Sequence, residues 1–275
     1  MLLPFKLCLN TSTLLPYRLG VREQIRIAAE AGYQGIELWV KDIDAYLEAG
    51  GHLSELRSEL DAHGLEFANA IAFWSWADTN PEERRRGFEL AEKELHILAE
   101  LGCTAAAAPP YGNVSDVELD NFASSFAKLA ELARGIGVEP YLEFWGKAKR
   151  LNCVKDAQYV IQASGVAGAK VLLDPFHMYT GGSNLEDLAD WTGDQIGIVH
   201  VNDYPEVPLK EHIEDADRVF PGDGIAPSRQ LAALLHKSGY KGYLSLELFK
   251  ADYGALTALE TAKLGTQKIK KAYGI

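Results

Sequence analysis

The stretch LAELARGIGVEPYLEF, Leu129 to Phe144, holds the pattern on which the fold turns. Its first part continues a segment of helical period that begins near Asp116. Gly137 stands where that helix needs a left-handed residue to stop, and Val138–Phe144 is a short apolar run of strand type. Near the end of the run one carboxylate, Glu143, interrupts the apolar residues. A carboxylate buried in a strand is costly unless it is paired or bound to a metal, so it marks a candidate site.

Outward from this stretch the same unit recurs. Strand-type runs occupy Phe5–Asn10, Gly35–Val40, Leu65–Ala72, Cys103–Pro110, Ala169–Pro175, Ile196–Asp203 and Gly242–Phe249. Helical periods are clearest at Glu82–Leu101, Asp116–Gly137, Ala226–Gly239 and Leu256–Tyr273. Gly32, Gly64, Gly102 and Gly239 repeat the punctuation of Gly137, between a helix and the next strand. Ile36, Leu38 and Val40, like Val171–Leu173, are apolar enough for parallel strands covered on both sides. Eight such units in 275 residues predict an α/β fold, one (β/α)₈ barrel domain over residues 1–275. A doubly wound open sheet has the same local units and is the competing arrangement.

Composition narrows the function. Apolar residues make up 47%, enough for a large core, and the net charge of −12 argues against nucleic acid as substrate. Cys8, Cys103 and Cys153 form no CxxC pair and read as reduced thiols of a cytoplasmic protein. Met1–Leu15 contains Pro4, Lys6 and Asn10 without a basic leader, so it reads as a strand and not a signal peptide. No apolar run approaches the roughly 20 residues of a membrane span. The expected partner is a small molecule; association with further copies of the chain is left open.

Four strand ends in succession carry a group of the same kind: Glu143, Asp174, His200 and Glu247. Converging at the mouth of a barrel, three carboxylates and one imidazole suit a single divalent ion, Mn²⁺, Mg²⁺, Co²⁺ or Zn²⁺. His177, three residues after Asp174, reads either as a proton carrier or as a solvent-facing loop histidine. Tyr204–Asp223 is a long polar segment on the catalytic face, and its Arg218 reads as a substrate contact or as a surface ion pair with Asp215 or Asp217. Asn10, Glu37 and Asn69 end the first three strands and would either line the pocket or satisfy strand-end backbone. Trp74, Trp76 and Trp145 would wall a sugar site or belong to the core.

With these residues assembled, the chain resembles the xylose isomerase-like superfamily of metal-dependent sugar isomerases and epimerases. The likeness rests on KLCLN at 6–10, LEF at 142–144, LDPFHM at 173–178 with GSN at 182–184, DRVFPG at 217–222 and LSLELF at 244–249. Within that superfamily the isomerases of keto-inositols (inososes) are the nearest in appearance. The resemblance implies that Glu143, Asp174, His200 and Glu247 hold the metal and that His177 and Arg218 stand beside the substrate. It implies proton transfer on a polyol ketone through an enediolate, with Glu143 and Glu247 exchanging the proton and His177 moving one between oxygens. Ketose 3-epimerisation and inosose dehydration would use the same site. A repair endonuclease would need more histidines than the seven present and a basic face, and a mere sugar-binding barrel has little need of two flanking glutamates.

Overall fold

Phe122, Phe126, Leu129 and Ala133 recur at helical spacing and are buried, so the helix that carries them lies with one face on the sheet. The computed structural model of the chain describes residues 3–275, and the same arrangement is repeated around a closed barrel. Its strands are β1 (Lys6–Asn10), β2 (Gly35–Trp39), β3 (Glu66–Ile71), β4 (Ala105–Ala108), β5 (Glu139–Glu143), β6 (Lys170–Leu173), β7 (Ile196–Val201) and β8 (Tyr243–Leu246). Each pairs in parallel with its neighbour in sequence, and β8 closes on β1. The closure decides against an open doubly wound sheet.

The helices are α1 (Val21–Glu30), α2 (Val40–Glu48), α3 (Leu53–His63), α4 (Pro81–Glu100), α5 (Leu119–Ile136), α6 (Val154–Ala163), α7 (Pro175–Gly181), α8 (Ser228–Ser238) and α9 (Ala258–Tyr273). The four expected from periodicity are present within a few residues at each end. Gly137 and Gly239 cap α5 and α8 at φ 104° and 88°, a region closed to most other residues. The N-terminal reading needs correction: the strand is confined to Lys6–Asn10, and Thr11–Tyr17 forms a 3₁₀ helix capped by the Asn10 side chain. Met1 and Leu2 lie outside the described residues. Cys8, Cys103 and Cys153 are free thiols. Among the described residues no helix is long and apolar enough to cross a membrane.

Strands are shorter than the apolar runs that announce them, and this matters for the site. Asp174 and Glu247 lie one residue beyond the ends of β6 and β8, where the chain leaves the ladder and a side chain can turn into the mouth. Asp174 also caps α7, its Oδ1 accepting from the Phe176 amide at 2.8 Å.

Candidate active site

Strand register puts the polar residues in rows. Asn10 pairs with Glu37 and Glu37 with Asn69 across β1–β3, while His200 pairs with Ser245 across β7 and β8. The rows meet inside the barrel. Glu37 is fully buried and accepts from Asn69 Nδ2 at 2.6 Å, from the Ser245 hydroxyl, and from His200 Nε2 at 3.1 Å. Against burial, which favours the neutral acid, His200 and these hydrogen bonds hold the Glu37 carboxyl below its usual range. Glu37 and Asn69, expected either to line the pocket or to satisfy strand-end backbone, lie in a buried layer. Both are at zero exposure; Asn69 Nδ2 donates to Glu37, and Glu37 faces the imidazole of His200.

With Nε2 facing Glu37, His200 presents Nδ1 upward, and this buried nitrogen has no hydrogen-bond partner. It faces Glu247 Oε2 at 3.1 Å and Asp174 Oδ2 at 3.8 Å. One ligand atom from each of Asp174, His200 and Glu247 falls within 4.8 Å of the others. The outer atom of each is tethered. Asp174 Oδ1 accepts from the Phe176 amide and from Asn202 Nδ2 at 3.0 Å, and Glu247 Oε1 accepts from Asn10 Nδ2 at 3.0 Å. Two inner carboxylate oxygens and an unpartnered imidazole nitrogen, each braced from behind, fit a divalent cation. Glu143, the fourth expected ligand, faces the same space from β5 but stands outside this group of three.

The charges respond to one another. Against burial, Arg218, His177 and His200 hold Asp174 well below the usual carboxylate range. Against burial, Glu247 and Glu37 raise His200 well above the ordinary imidazole value. Burial pushes Glu143 up to about 8, Glu247 and Asp174 adding to the rise and His200 opposing it. Burial lowers His177 to about 4, with Asp174 opposing, so this ring is neutral near pH 7.

Arg218 is neither a surface residue nor free. It is 1% exposed, with its guanidinium carbon 4.4 Å from the Phe176 ring centre and 5.2 Å from that of Phe249. Nη1 donates to Asp174 Oδ2 at 2.6 Å and to Glu247 Oε2 at 2.7 Å, the same oxygens that face His200. Nε and Nη2 donate to Asp215 Oδ1 at 3.0 and 2.6 Å, and Nη2 lies 3.4 Å from His177 Nε2. The Asp215 pair expected from the sequence exists, but it is one end of a buried network. The long segment that carries Arg218 is closed by Asp203, whose carboxylate accepts from the amides of Tyr204, Gly222 and Ala226 at 2.8, 2.9 and 2.7 Å.

Above this floor lies a cavity of about 430 Å³. Glu143, His177, Arg218 and Glu247 line its base, and Trp39, Phe73, Trp145 and Phe249 form much of its wall. Trp145 thus lines the pocket, whereas Trp74 and Trp76 are core. Their indoles donate to Glu94 Oε2 at 2.6 Å and to the Pro109 carbonyl at 2.8 Å, away from the cavity. A second cavity of about 460 Å³ lies beside α7 and α8, but none of Glu143, Asp174, His200 and Glu247 reaches it.

Sequence reasoning overlooked Asn202, Ser245 and the wall residues Trp39, Phe73 and Phe249. A signal existed for the first two. Asn202 is two residues after His200 and Ser245 two before Glu247, the alternation that keeps side chains on one face of a strand. Nothing local marks the wall residues, because an aromatic after a strand is most often core.

A sequence-family model described as xylose isomerase-like TIM barrel matches residues 25–271. An inosose isomerase of Bacillus velezensis is 28% identical over 270 residues, covering 94% of this chain and 93% of its own length. A 3-dehydroshikimate dehydratase of Pseudomonas aeruginosa is 26% identical over 260 residues, which span 90% of this chain and 39% of that enzyme. A crystal structure of the IolI protein with a bound zinc atom superposes with a TM-score of 0.88 at 23% identity, covering 98% of this chain and all of that one.

Proposed function

The chain belongs to the xylose isomerase-like TIM barrel family, and from that premise we propose that it is a divalent-metal-dependent isomerase or epimerase of a polyol ketone, acting by proton transfer. The 28% identity to an inosose isomerase over nearly the whole chain supports a keto-inositol as the substrate to try first. The observation that carries the reading is the convergence of Asp174, His200 and Glu247 within 4.8 Å, with the far side of each already bonded.

Asp174, His200 and Glu247 would hold the ion, with Glu143 as the further donor facing the same space. The ion supplies the positive charge that stabilises an enediolate when a proton leaves the carbon beside a carbonyl. Glu143 and Glu247 are the proton carriers. Burial favours the neutral form of both, which brings a carboxyl toward the pH at which it can give and take a proton. His177, a neutral imidazole with an unpartnered Nδ1, can accept a proton on one nitrogen while giving one from the other. Arg218 orients His177 and the two carboxylates it binds, and its charge lies next to any substrate oxygen above them.

The test is turnover of an inosose in D₂O with the metal-loaded protein, followed by NMR. Solvent deuterium on the carbon beside the carbonyl is the expected result. Deuterium with inversion at that carbon identifies an epimerase, and an unsaturated product identifies a dehydratase. Conversion with no deuterium at any stage would overturn proton transfer.

A further inference from the structure

Most of the charged groups of the cavity are gathered at its floor, whereas much of its wall is aromatic. Trp39, Ile71, Phe73, Trp145, Phe176 and Phe249 surround the space above the floor. The aromatic rings are continuous: Phe73 is 5.3 Å from Trp39 and 6.3 Å from Trp145 by ring centres, and Trp39 is 6.1 Å from Phe249. The indole N–H of Trp39 is donated to Asn10 Oδ1 at 3.0 Å, behind the wall, so this residue offers the cavity only carbon. The Trp145 indole sits against Glu143. Of the groups with hydrogen-bonding capacity, Glu143, His177, Arg218 and Glu247 are gathered at the base, and Asp215 and Lys147 are the charged remainder.

A keto-inositol would bond to the floor but make no specific use of this wall. Its hydroxyls at the floor find partners, whereas any turned toward Trp39, Phe73 and Phe249 meet aromatic carbon. Aromatic side chains do stack on the C–H faces of sugars, but a sugar held that way still needs donors and acceptors around its rim. Phe73, Trp145 and Phe249 are each partly exposed, and an apolar group from the substrate would cover them.

We propose that the substrate is a hydroxyketone carrying a planar apolar group, an aryl ring or its equivalent, with the hydroxyketone on the charged floor and the apolar group against Trp39, Phe73 and Phe249. This rests on the reading of the floor as a hydroxyketone site and adds what the wall recognises.

A matched pair of probes tests it: 4-nitrophenyl and methyl 3-keto-β-D-glucopyranoside, which share the ketone and ring and differ in the group to be recognised. Binding to the Mn²⁺-loaded protein is measured by calorimetry. The aryl compound should bind roughly tenfold to a hundredfold more tightly, the range for burying one aromatic side group. Equal affinities, including failure of both to bind, overturn the proposal. Phe73→Ser, with bound metal verified by elemental analysis, should narrow the aryl-to-methyl ratio by about tenfold. An unchanged ratio would mean that the wall is not the recognising surface, and also overturns it. Solvent exchange at the carbon beside the ketone is followed separately by NMR in D₂O. Strong aryl preference without exchange would leave the wall proposal standing and remove proton transfer, so the two readings fail by different results.

Discussion

The two halves of the barrel mouth are built from different chemistry. Strands β5–β8 end in Glu143, Asp174, His200 and Glu247, charged groups that face the cavity or one another. Strands β1–β3 carry Asn10, Glu37 and Asn69 toward their ends; Asn10 and Glu37 bond across the barrel to Glu247 and His200 of the other half, and Asn69 bonds to Glu37. Strand β4 contributes four buried alanines. Asn10 braces Glu247, and Glu37 braces His200. The second half therefore presents the reactive groups, while the first sets their orientation and supplies Trp39 and Phe73 to the wall. A charge placed on one side of a barrel is positioned only as well as the opposite side holds its far atom.

The largest effect should follow from removing a presenting group. His200→Ala leaves Asp174 and Glu247 without their nitrogen partner, and we expect near-complete loss of bound divalent metal by elemental analysis, with activity lost alongside it. Full metal retention would end this division of labour between the two halves. Next is Arg218→Lys. An ammonium keeps the charge but cannot reach Asp174, Glu247 and Asp215 together, as the guanidinium does. With metal still bound, kcat/KM should fall on the order of tenfold to a thousandfold. Turnover at the wild-type rate in this variant would show that the network is structural only.

Much of this division was legible before the structure. Eight strand-type runs, each with its helix and five with a glycine stop, predict the barrel because period and punctuation are local properties of the chain. Glu143, Asp174, His200 and Glu247 stand out because each breaks an apolar run where a charge is expensive. Glu37 and Asn69 break their runs too, but their depth depends on strand register, which no single strand encodes. Glu37 sits level with Asn10 and Asn69 and under an imidazole 163 positions away in sequence. Arg218 was visible as a candidate, but its burial follows from Asp203 pinning both ends of a long segment, a tertiary contact. Of the aromatic wall, Trp145 was a candidate, whereas Trp39, Phe73 and Phe249 were hidden for the same reason.

A smaller effect should come from the supporting half. Glu37→Gln keeps the size of the side chain and can still accept from His200, but it weakens the hold on the Nε2 proton. We expect metal affinity to fall about tenfold to a hundredfold in a chelator competition, the usual cost of altering an outer partner of a ligating histidine. A loss as severe as that of His200→Ala would merge the two halves into one unit. No loss at all would mean that the tether from Glu37 is irrelevant to the site.

The smallest effect concerns a buried carboxylate that belongs to neither set. Glu94 on α4 is 7% exposed and accepts from the Trp74 indole at 2.6 Å. Burial raises its pKa above the usual carboxylate value, and the Trp74 hydrogen bond only partly opposes this. The folded protein thus holds the Glu94 proton more tightly than the unfolded chain does. Stability therefore falls as pH rises from the ordinary carboxylate range through the raised value, and is level above it. Glu94→Gln removes that fall and keeps an acceptor for Trp74. The variant should be slightly more stable than wild type at pH 7, and the difference should shrink toward pH 4, as read by chemical denaturation at both pH values. Activity and metal content should not change. If Glu94→Gln instead lost metal or turnover, burial of a carboxylate alone would suffice to place it in the functional network, and the contrast between the halves would lose its meaning. Convergence on a shared centre, which Glu94 lacks and Glu247 has, is what separates a buried acid that costs stability from one that holds a ligand.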